Sequence, residues 1–588
     1  MKLLKLISLL KEIIVLHGTQ ITTMFKKVFL TVVSIQLLLA DISAQQNPFR
    51  YSQKKNITVS QAAVVSAHPI ASEAGIQILR EGGNAIDAAI ATQLALAVVY
   101  PAAGNLGGGG FLVAGLANGE KITIDYRETA PGKAYKEMYL DKNGDPIKEL
   151  SMQKQLASGI PGTVAGIFES LKYARFGIKK LIAPAIVLAE KGFAITSSQA
   201  ESFNSLRETF IMANTTNIAF IKKNAWVAGD KLVQTELAAT LKRIRDKGQK
   251  GFYEGTTARL IVEEMKRGNG VISYEDLKKY KAVRRAPMLF DYKGHSIVTM
   301  SLPSSGGILL QQMMGMIEKR NISALKFQSA ESVQLMVEAA RRAFADRAQF
   351  LGDPDFIKVP VKQMVAEDYL QQRMNDFVPG KAGSSEKTRA GNIKESEETT
   401  HISIIDKEGN TVSVTTTLNN SYGSKTVVGG AGFLLNNEMD DFSVKEGAPN
   451  MYGAVGSYAN AIAPYKRMLS SMTPVIIFKD NKPCMVVGTP GGTTIPVNVF
   501  QTIINVIEFN LSPQEAVNSA KFHHQWLPDI VYFEKNFPAA VINKMEAMGY
   551  KTSIRSPIGR VELLLIDPVT KKITAVADGR GDDSAAGY

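Results

Sequence analysis

Short apolar runs and longer amphipathic ones alternate through the first hundred residues. Ala62–Ala67 is a compact apolar run closed by His68-Pro69 and reads as a strand. Ala71–Arg80 has helical spacing and stops at Gly82-Gly83. Asp87–Val99 is a second helix, rich in alanine and nearly free of charge, so burial on almost every side is expected. Pro101 ends it. Gly107-Gly108-Gly109-Gly110 then runs into the apolar strand Phe111–Val113. A phosphate-binding loop needs Gly-Lys-Ser/Thr and a helix after it, so this glycine run predicts close backbone packing instead.

Between about residues 150 and 380 helical segments alternate with loops. The clearest helix is Ser329–Phe350, with Val333, Leu335, Met336, Ala339, Ala340 and Phe344 on its apolar side; Arg341, Arg342 and Arg347 are assigned to a solvated face. Gly380–Glu398 is rich in glycine, serine and charge and is expected to be mobile and exposed. Pattern returns abruptly at Thr399. His401–Ile405 reads as a strand, Asp406–Asn410 as a turn and Thr411–Leu418 as the return strand of a hairpin. If Ile405 pairs with Thr411, the same register carries Thr399 opposite Thr417; a slip of one residue puts Leu418 there.

Composition narrows the class. With 588 residues the length prior is about four domains. Hydrophobic residues at 45% and charged residues at 21% are globular proportions. The net charge of +13 includes five lysines against Glu12 and Asp41 in residues 1–44, and the remainder never gathers into a Lys/Arg block, which argues against nucleic acid as a partner. The single cysteine, Cys484, excludes a disulfide framework and multi-thiolate metal sites, and its apolar surroundings point to packing. Met24-Phe25-Lys26-Lys27, the apolar run Val28–Ala40 and Ile42-Ser43-Ala44 have the layout of a signal peptide, which makes residues 1–44 a leader and Met24 the expected true start. No later apolar run reaches the length of a membrane span, so an exported mature chain, periplasmic or secreted, is expected.

A threonine hydroxyl becomes an effective nucleophile when its own α-amine, with a reference pKa of about 7.7–8.0, serves as general base. Thr399 meets that condition only if the chain is cut between Glu398 and Thr399. The pattern alone favours an ordinary strand, since threonine is common in strands. Other chemistries have less: the six histidines form no His-Glu-x-x-His motif, adjacent His523-His524 diverge, and no Gly-x-Ser-x-Gly elbow is present.

Five ordered blocks change the balance. Thr399-Thr400-His401-Ile402-Ser403, Leu435–Phe442, Leu469-Ser470-Ser471-Met472-Thr473-Pro474, Gly488-Thr489-Pro490-Gly491-Gly492 and Phe522–Pro528 together resemble the γ-glutamyltranspeptidase family, and Gly107–Gly110 and Asp125–Pro131 match its N-terminal half. The resemblance implies an α+β fold, the four-layer αββα sandwich of N-terminal-nucleophile hydrolases, in place of four domains. It implies self-cleavage into a large piece, 45–398, and a small catalytic piece, 399–588, that stay in one intertwined globule. By resemblance Thr399 is the nucleophile, Thr417 its supporting hydroxyl, and Gly491 and Gly492 the oxyanion amides. Arg127, Ser470 and Ser471 match groups that hold the substrate α-carboxylate, while Asn419, Glu438 and Asp441 match acceptors for its α-amino group. Tyr452 matches a lid residue. Glu438 stands where the family carries Gln or Glu. The implied activity is hydrolysis or transfer of the γ-glutamyl group of glutathione and related compounds to water, amino acids or dipeptides, with no metal or organic cofactor. A glutaryl (cephalosporin) acylase of the same fold is the near rival, and an uncut, non-catalytic exported binding protein the distant one.

Overall fold

In a computed structural model of the chain, residues 47–388, 399–445 and 457–588 are described. The leader, Glu398 and Tyr452 therefore lie outside the described residues.

The hairpin expected at Thr399 forms in the expected register. Strands Thr400–Ile405 and Thr411–Thr417 pair antiparallel, with Ile405 opposite Thr411 and Thr400 opposite Thr416. Thr399 immediately precedes the first strand, at the end of the hairpin that Thr417 closes. Asp406 in the turn accepts the Glu408 and Asn410 amides at 2.9 and 3.0 Å, and also the Ala85 amide at 2.9 Å. One carboxylate thus shapes the turn and docks the hairpin on the first turn of helix Ala85–Val99. That helix opens with a capping box between Asn84 and Asp87, and all of its residues are buried, as its composition requires.

The hairpin sits at the centre of a seven-stranded sheet. In spatial order its strands are Ser584–Gly587, Ala63–Ser66, Thr400–Ile405, Thr411–Thr417, Gly109–Gly115, Lys121–Asp125 and Val283–Arg285. A second sheet of seven is ordered Asn56–Val59, Ile573–Ala577, Glu562–Ile566, Lys482–Gly488, Val475–Lys479, His295–Thr299 and Met288–Tyr292. All pairings in both sheets are antiparallel.

Side-chain alternation separates the layers. Ile402, Ile404, Val412, Val414, Leu112 and Ile124 face the helices Pro69–Arg80 and Ala85–Val99. Ala63, Val65, Phe111 and Val113 face the second sheet, whose far side packs on helices Gly306–Ile317, Ala330–Phe350 and Thr494–Ile507. The order helix, sheet, sheet, helix is the four-layer α+β sandwich. Along the hairpin itself the inter-sheet face is polar. His401 is fully buried between the sheets, with Nδ1 2.8 Å from Thr415 Oγ1 and Nε2 3.2 Å from Ser403 Oγ; burial holds its pKa down to about 3, so it is neutral. Ser403 and Ser413 hydroxyls donate to the Glu562 and Val487 carbonyls of the opposite sheet at 3.0 and 3.4 Å. These bonds tie the Thr399 hairpin to the second sheet, the one to Val487 reaching the strand Lys482–Gly488 that leads into Gly491-Gly492.

The glycine run does what close packing asks of it. A Cβ on Gly108 would meet the Thr417 carbonyl, and one on Gly110 would meet the Thr415 carbonyl.

Two expectations are corrected. Arg341, Arg342 and Arg347 are all buried. Glu338, one turn earlier, pairs with Arg341 at 3.3 Å and with Arg342, while Asp529 and Asp376 take their outer nitrogens. Burial works to raise the Glu338 pKa, but the two guanidinium groups outweigh it and leave the carboxyl below its usual value. The helix is enclosed by neighbours on every side, so its arginines are neutralised internally instead of by solvent. The second correction concerns Gly380–Glu398. Its described part, through Thr388, is anchored: Ser385 is buried, its amide donates to Asp529 at 2.8 Å, and its carbonyl accepts the Trp526 indole N–H at 3.0 Å.

Candidate active site

A cleft opens where the ends of the hairpin meet loops from both sheets. Thr399, Thr417 and Gly492 line one end; Arg127, Glu438 and Asp441 line the other, with Asn419, Ser470 and Ser471 between. Every site residue expected from the sequence and lying in the described residues is here, except that Gly491 stands one residue back from the lining.

Thr399 is 3% exposed and Thr417 is equally enclosed. The Thr417 hydroxyl accepts the Asn419 amide at 2.7 Å. Asn419 adopts φ 77°, in the left-handed region that Asn tolerates, and this turns its side chain toward Asn437, whose carbonyl accepts Nδ2 at 3.0 Å. Its Oδ1 receives no donor from the described residues.

Gly491 and Gly492 take φ of 133° and 54°, and a Cβ on Gly491 would collide with Thr494 Oγ1. Only glycine fits this turn without strain. Their carbonyls accept the Thr494 and Ile495 amides at 2.9 and 3.2 Å, which starts helix Thr494–Ile507. Their own N–H groups donate to no acceptor among the described residues. Two unpaired amides at the N-terminal end of a long helix favour developing negative charge.

The charged end is dense. Arg127, 1% exposed, is ion-paired to both Glu438 and Asp441 and lies 3.5 Å from Glu128. Its Nε and Nη2 also donate to the Met468 and Leu469 carbonyls at 3.3 and 3.4 Å. Burial works against its charge, but the three acids raise its pKa overall. One guanidinium cannot neutralise three buried carboxyls. Burial raises Glu438 well above the usual carboxylate value despite Arg127, raises Asp441 against both Arg127 and Arg347, and lifts Glu128 to about 8. Near neutral pH this cluster carries protons, which an ammonium group placed beside it would replace. The expected division of labour, Arg127 for a carboxylate and Glu438 with Asp441 for an amine, thus appears as a direct contact between the two sets.

Sequence reasoning missed Arg347. Its Nε donates to Ser305 Oγ at 3.1 Å and its Nη2 to Ser471 Oγ at 3.2 Å, and it lines the cleft. A signal was available: at about 100° per residue Arg347 falls among Met336, Ala340, Ala343 and Phe344, inside the apolar arc of that helix and not opposite it.

The family model described as Gamma-glutamyltranspeptidase matches residues 71–588. The chain is 41% identical over 581 residues to the glutathione hydrolase proenzyme of Escherichia coli (strain K12), a match covering 96% of this chain and 100% of that one. It is 34% identical over 527 residues to the acylase ACY 1 proenzyme of Pseudomonas sp. (strain V22), covering 86% and 89%. The solved cephalosporin acylase from Bacillus halodurans superposes with a TM-score of 0.80 at 24% identity, covering 92% of this chain and 98% of that one, a likeness of fold.

Proposed function

The chain belongs to the gamma-glutamyltranspeptidase family, and we propose that it is an exported, self-processing γ-glutamyl hydrolase and transferase acting on glutathione and related γ-glutamyl compounds. In maturation Thr399 Oγ attacks the Glu398 carbonyl, the amide nitrogen of Thr399 leaves, and water hydrolyses the resulting ester to give a Glu398 carboxylate and a free Thr399 amine. In turnover that amine takes the proton of Thr399 Oγ as the oxygen attacks the γ-carbonyl of the donor. The tetrahedral oxygen forms against the Gly491 and Gly492 amides. The proton passes to the departing amine, which for glutathione is cysteinylglycine. Water or the amino group of an amino acid or dipeptide then attacks the γ-glutamyl ester, returning Thr399 to its starting state.

One observation carries the reading: Thr399 at the head of a strand, Gly492 of the Gly491-Gly492 turn, whose amides have no acceptor among the described residues, and Arg127 ion-paired to Glu438 and Asp441 line a single cleft. A γ-glutamyl group bears a carboxylate and an ammonium on one carbon, and the charged end offers groups of both signs. A glutaryl group has no ammonium and gives Glu438 and Asp441 nothing to hold, which disfavours the acylase alternative. The test compares kcat/KM for γ-glutamyl and glutaryl p-nitroanilides. Clear preference for the γ-glutamyl compound is expected; equal or reversed preference would place the chain with the acylases, and no release of either with a single uncut band would favour the binding protein.

A further inference from the structure

Behind the cleft a chain of polar contacts connects the helix Ala330–Phe350 to the Ser470-Ser471 loop. Arg347, 8% exposed, donates through Nε to Ser305 Oγ and through Nη2 to Ser471 Oγ. Ser305 in turn donates both its hydroxyl and its amide to the Ser470 carbonyl, each at 2.7 Å. The Ser470 amide bonds the Pro303 carbonyl at 2.9 Å, and Ser304 Oγ bonds the Met472 carbonyl at 2.6 Å. The two cleft serines are therefore held at their backbones and engaged at their hydroxyls on the acceptor side: Ser470 Oγ accepts the Met472 amide at 3.2 Å, and Ser471 Oγ accepts Arg347. Neither hydroxyl donates to any acceptor among the described residues. A hydroxyl has one hydrogen to give and two lone pairs. When a charged donor occupies a lone pair, the hydrogen is left to turn elsewhere and becomes a stronger donor. For Ser471 that direction is the cleft.

Building on the γ-glutamyl reading of the site, we propose that Arg347 is a positioning residue for the α-carboxylate of the donor: it orients the Ser471 hydroxyl as a hydrogen-bond donor into the cleft and adds a second positive charge beside it. Arg127 is ion-paired to Glu438 and Asp441, and Arg347 brings a second guanidinium to the lining of the same cleft. A forked guanidinium suits this position because it reaches Ser305 and Ser471 at once, which a lysine ammonium does with poorer geometry.

The test uses the processed enzyme and three p-nitroanilides: γ-glutamyl, glutaryl, which keeps the carboxylate but lacks the amine, and γ-aminobutyryl, which keeps the amine but lacks the carboxylate. Arg347→Met should lower kcat/KM by about 10- to 100-fold for the two carboxylate-bearing donors, mainly through KM, and leave the γ-aminobutyryl donor within about twofold of wild type. Arg347→Lys should fall between. Ser471→Ala should show the same selective loss, and adding it to Arg347→Met should cost little more, because the two act as one unit. An equal fall for all three donors, or an unchanged ratio between them, would make Arg347 a structural residue and overturn the proposal. If Arg347→Met does not accumulate as processed protein, the same three-donor ratio is read on Arg347→Lys, with the same two outcomes. A wild-type enzyme with no preference for the γ-glutamyl donor would instead remove the reading of the site on which the inference stands.

Discussion

At the Thr399 end of the cleft the working groups are neutral and come from the backbone or from short hydroxyl side chains: Thr399, Thr417 and the amides of Gly491 and Gly492. At the Arg127 end they are charged and long, and Arg127, Glu128, Arg347, Glu438 and Asp441 come from three separate stretches of chain. The first end depends on where strands stop and how a turn is made, so its geometry is set by the hairpin register and by left-handed glycines. The second depends on mutual neutralisation of buried charges, so each member is costly to remove alone. On the proposed function, bond-making and recognition fall to different ends, and mutations should split the same way, kcat at one end and KM at the other.

Thr399→Ala is the most severe way to break the reactive end. It should leave an unprocessed chain with turnover reduced by more than about a thousandfold, visible as one band on a denaturing gel and no anilide release. Arg127→Ala attacks the recognition end: processing should proceed, while kcat/KM for the γ-glutamyl donor should drop by about two to three orders of magnitude, mostly in KM. It should also lower stability by about 3 kcal/mol because it strands buried carboxyls, and Glu438→Gln in the same chain should restore part of the loss in a thermal melt. Gly491→Ala sharpens the separation from the other side. The added Cβ collides with Thr494 Oγ1 and shifts the amide proposed to hold the oxyanion, so kcat should fall by about a hundredfold with KM little changed.

The smallest effect is a pH dependence confined to the recognition end. The carboxyls there have folded pKa values raised by burial, Glu128 to about 8. An ammonium ligand selects their ionised forms. KM for the γ-glutamyl anilide should therefore fall as pH rises toward about 8, by no more than about tenfold per pH unit for each proton released, and the glutaryl anilide should show no such gain. For folding the sign is opposite. The contribution of these groups to stability is fullest below their unfolded values and is lost as pH rises through the folded ones, so their share of the wild-type melting temperature should decline from about pH 5 to about pH 8, against the opposite trend from buried neutral histidines such as His401. Glu128→Gln, which cannot ionise, should flatten that decline.

The two ends also differ in how far the sequence disclosed them. Thr399 and Thr417 lie on one hairpin, where alternation and a five-residue turn specify the register locally, and the register held. The same alternation left the first helices and the glycine run readable, because each depends on nearby residues alone. At the charged end nothing local links Arg127 with Glu438 or Asp441, and those positions were reached through family resemblance. Arg347 was misplaced because three arginines on one helix look like a solvated face until the other layers are in position. Ser385 was misplaced for a similar reason: a polar, glycine-rich stretch carries no sign that Trp526, Asp529 and Arg341 wait to bond it.

Intact-mass and N-terminal analysis of the purified, active protein is the most direct test. The account predicts two polypeptides, the smaller beginning with a free amine at Thr399. A single chain with the Glu398–Thr399 bond intact, in a preparation that hydrolyses γ-glutamyl amides at full rate, would contradict it.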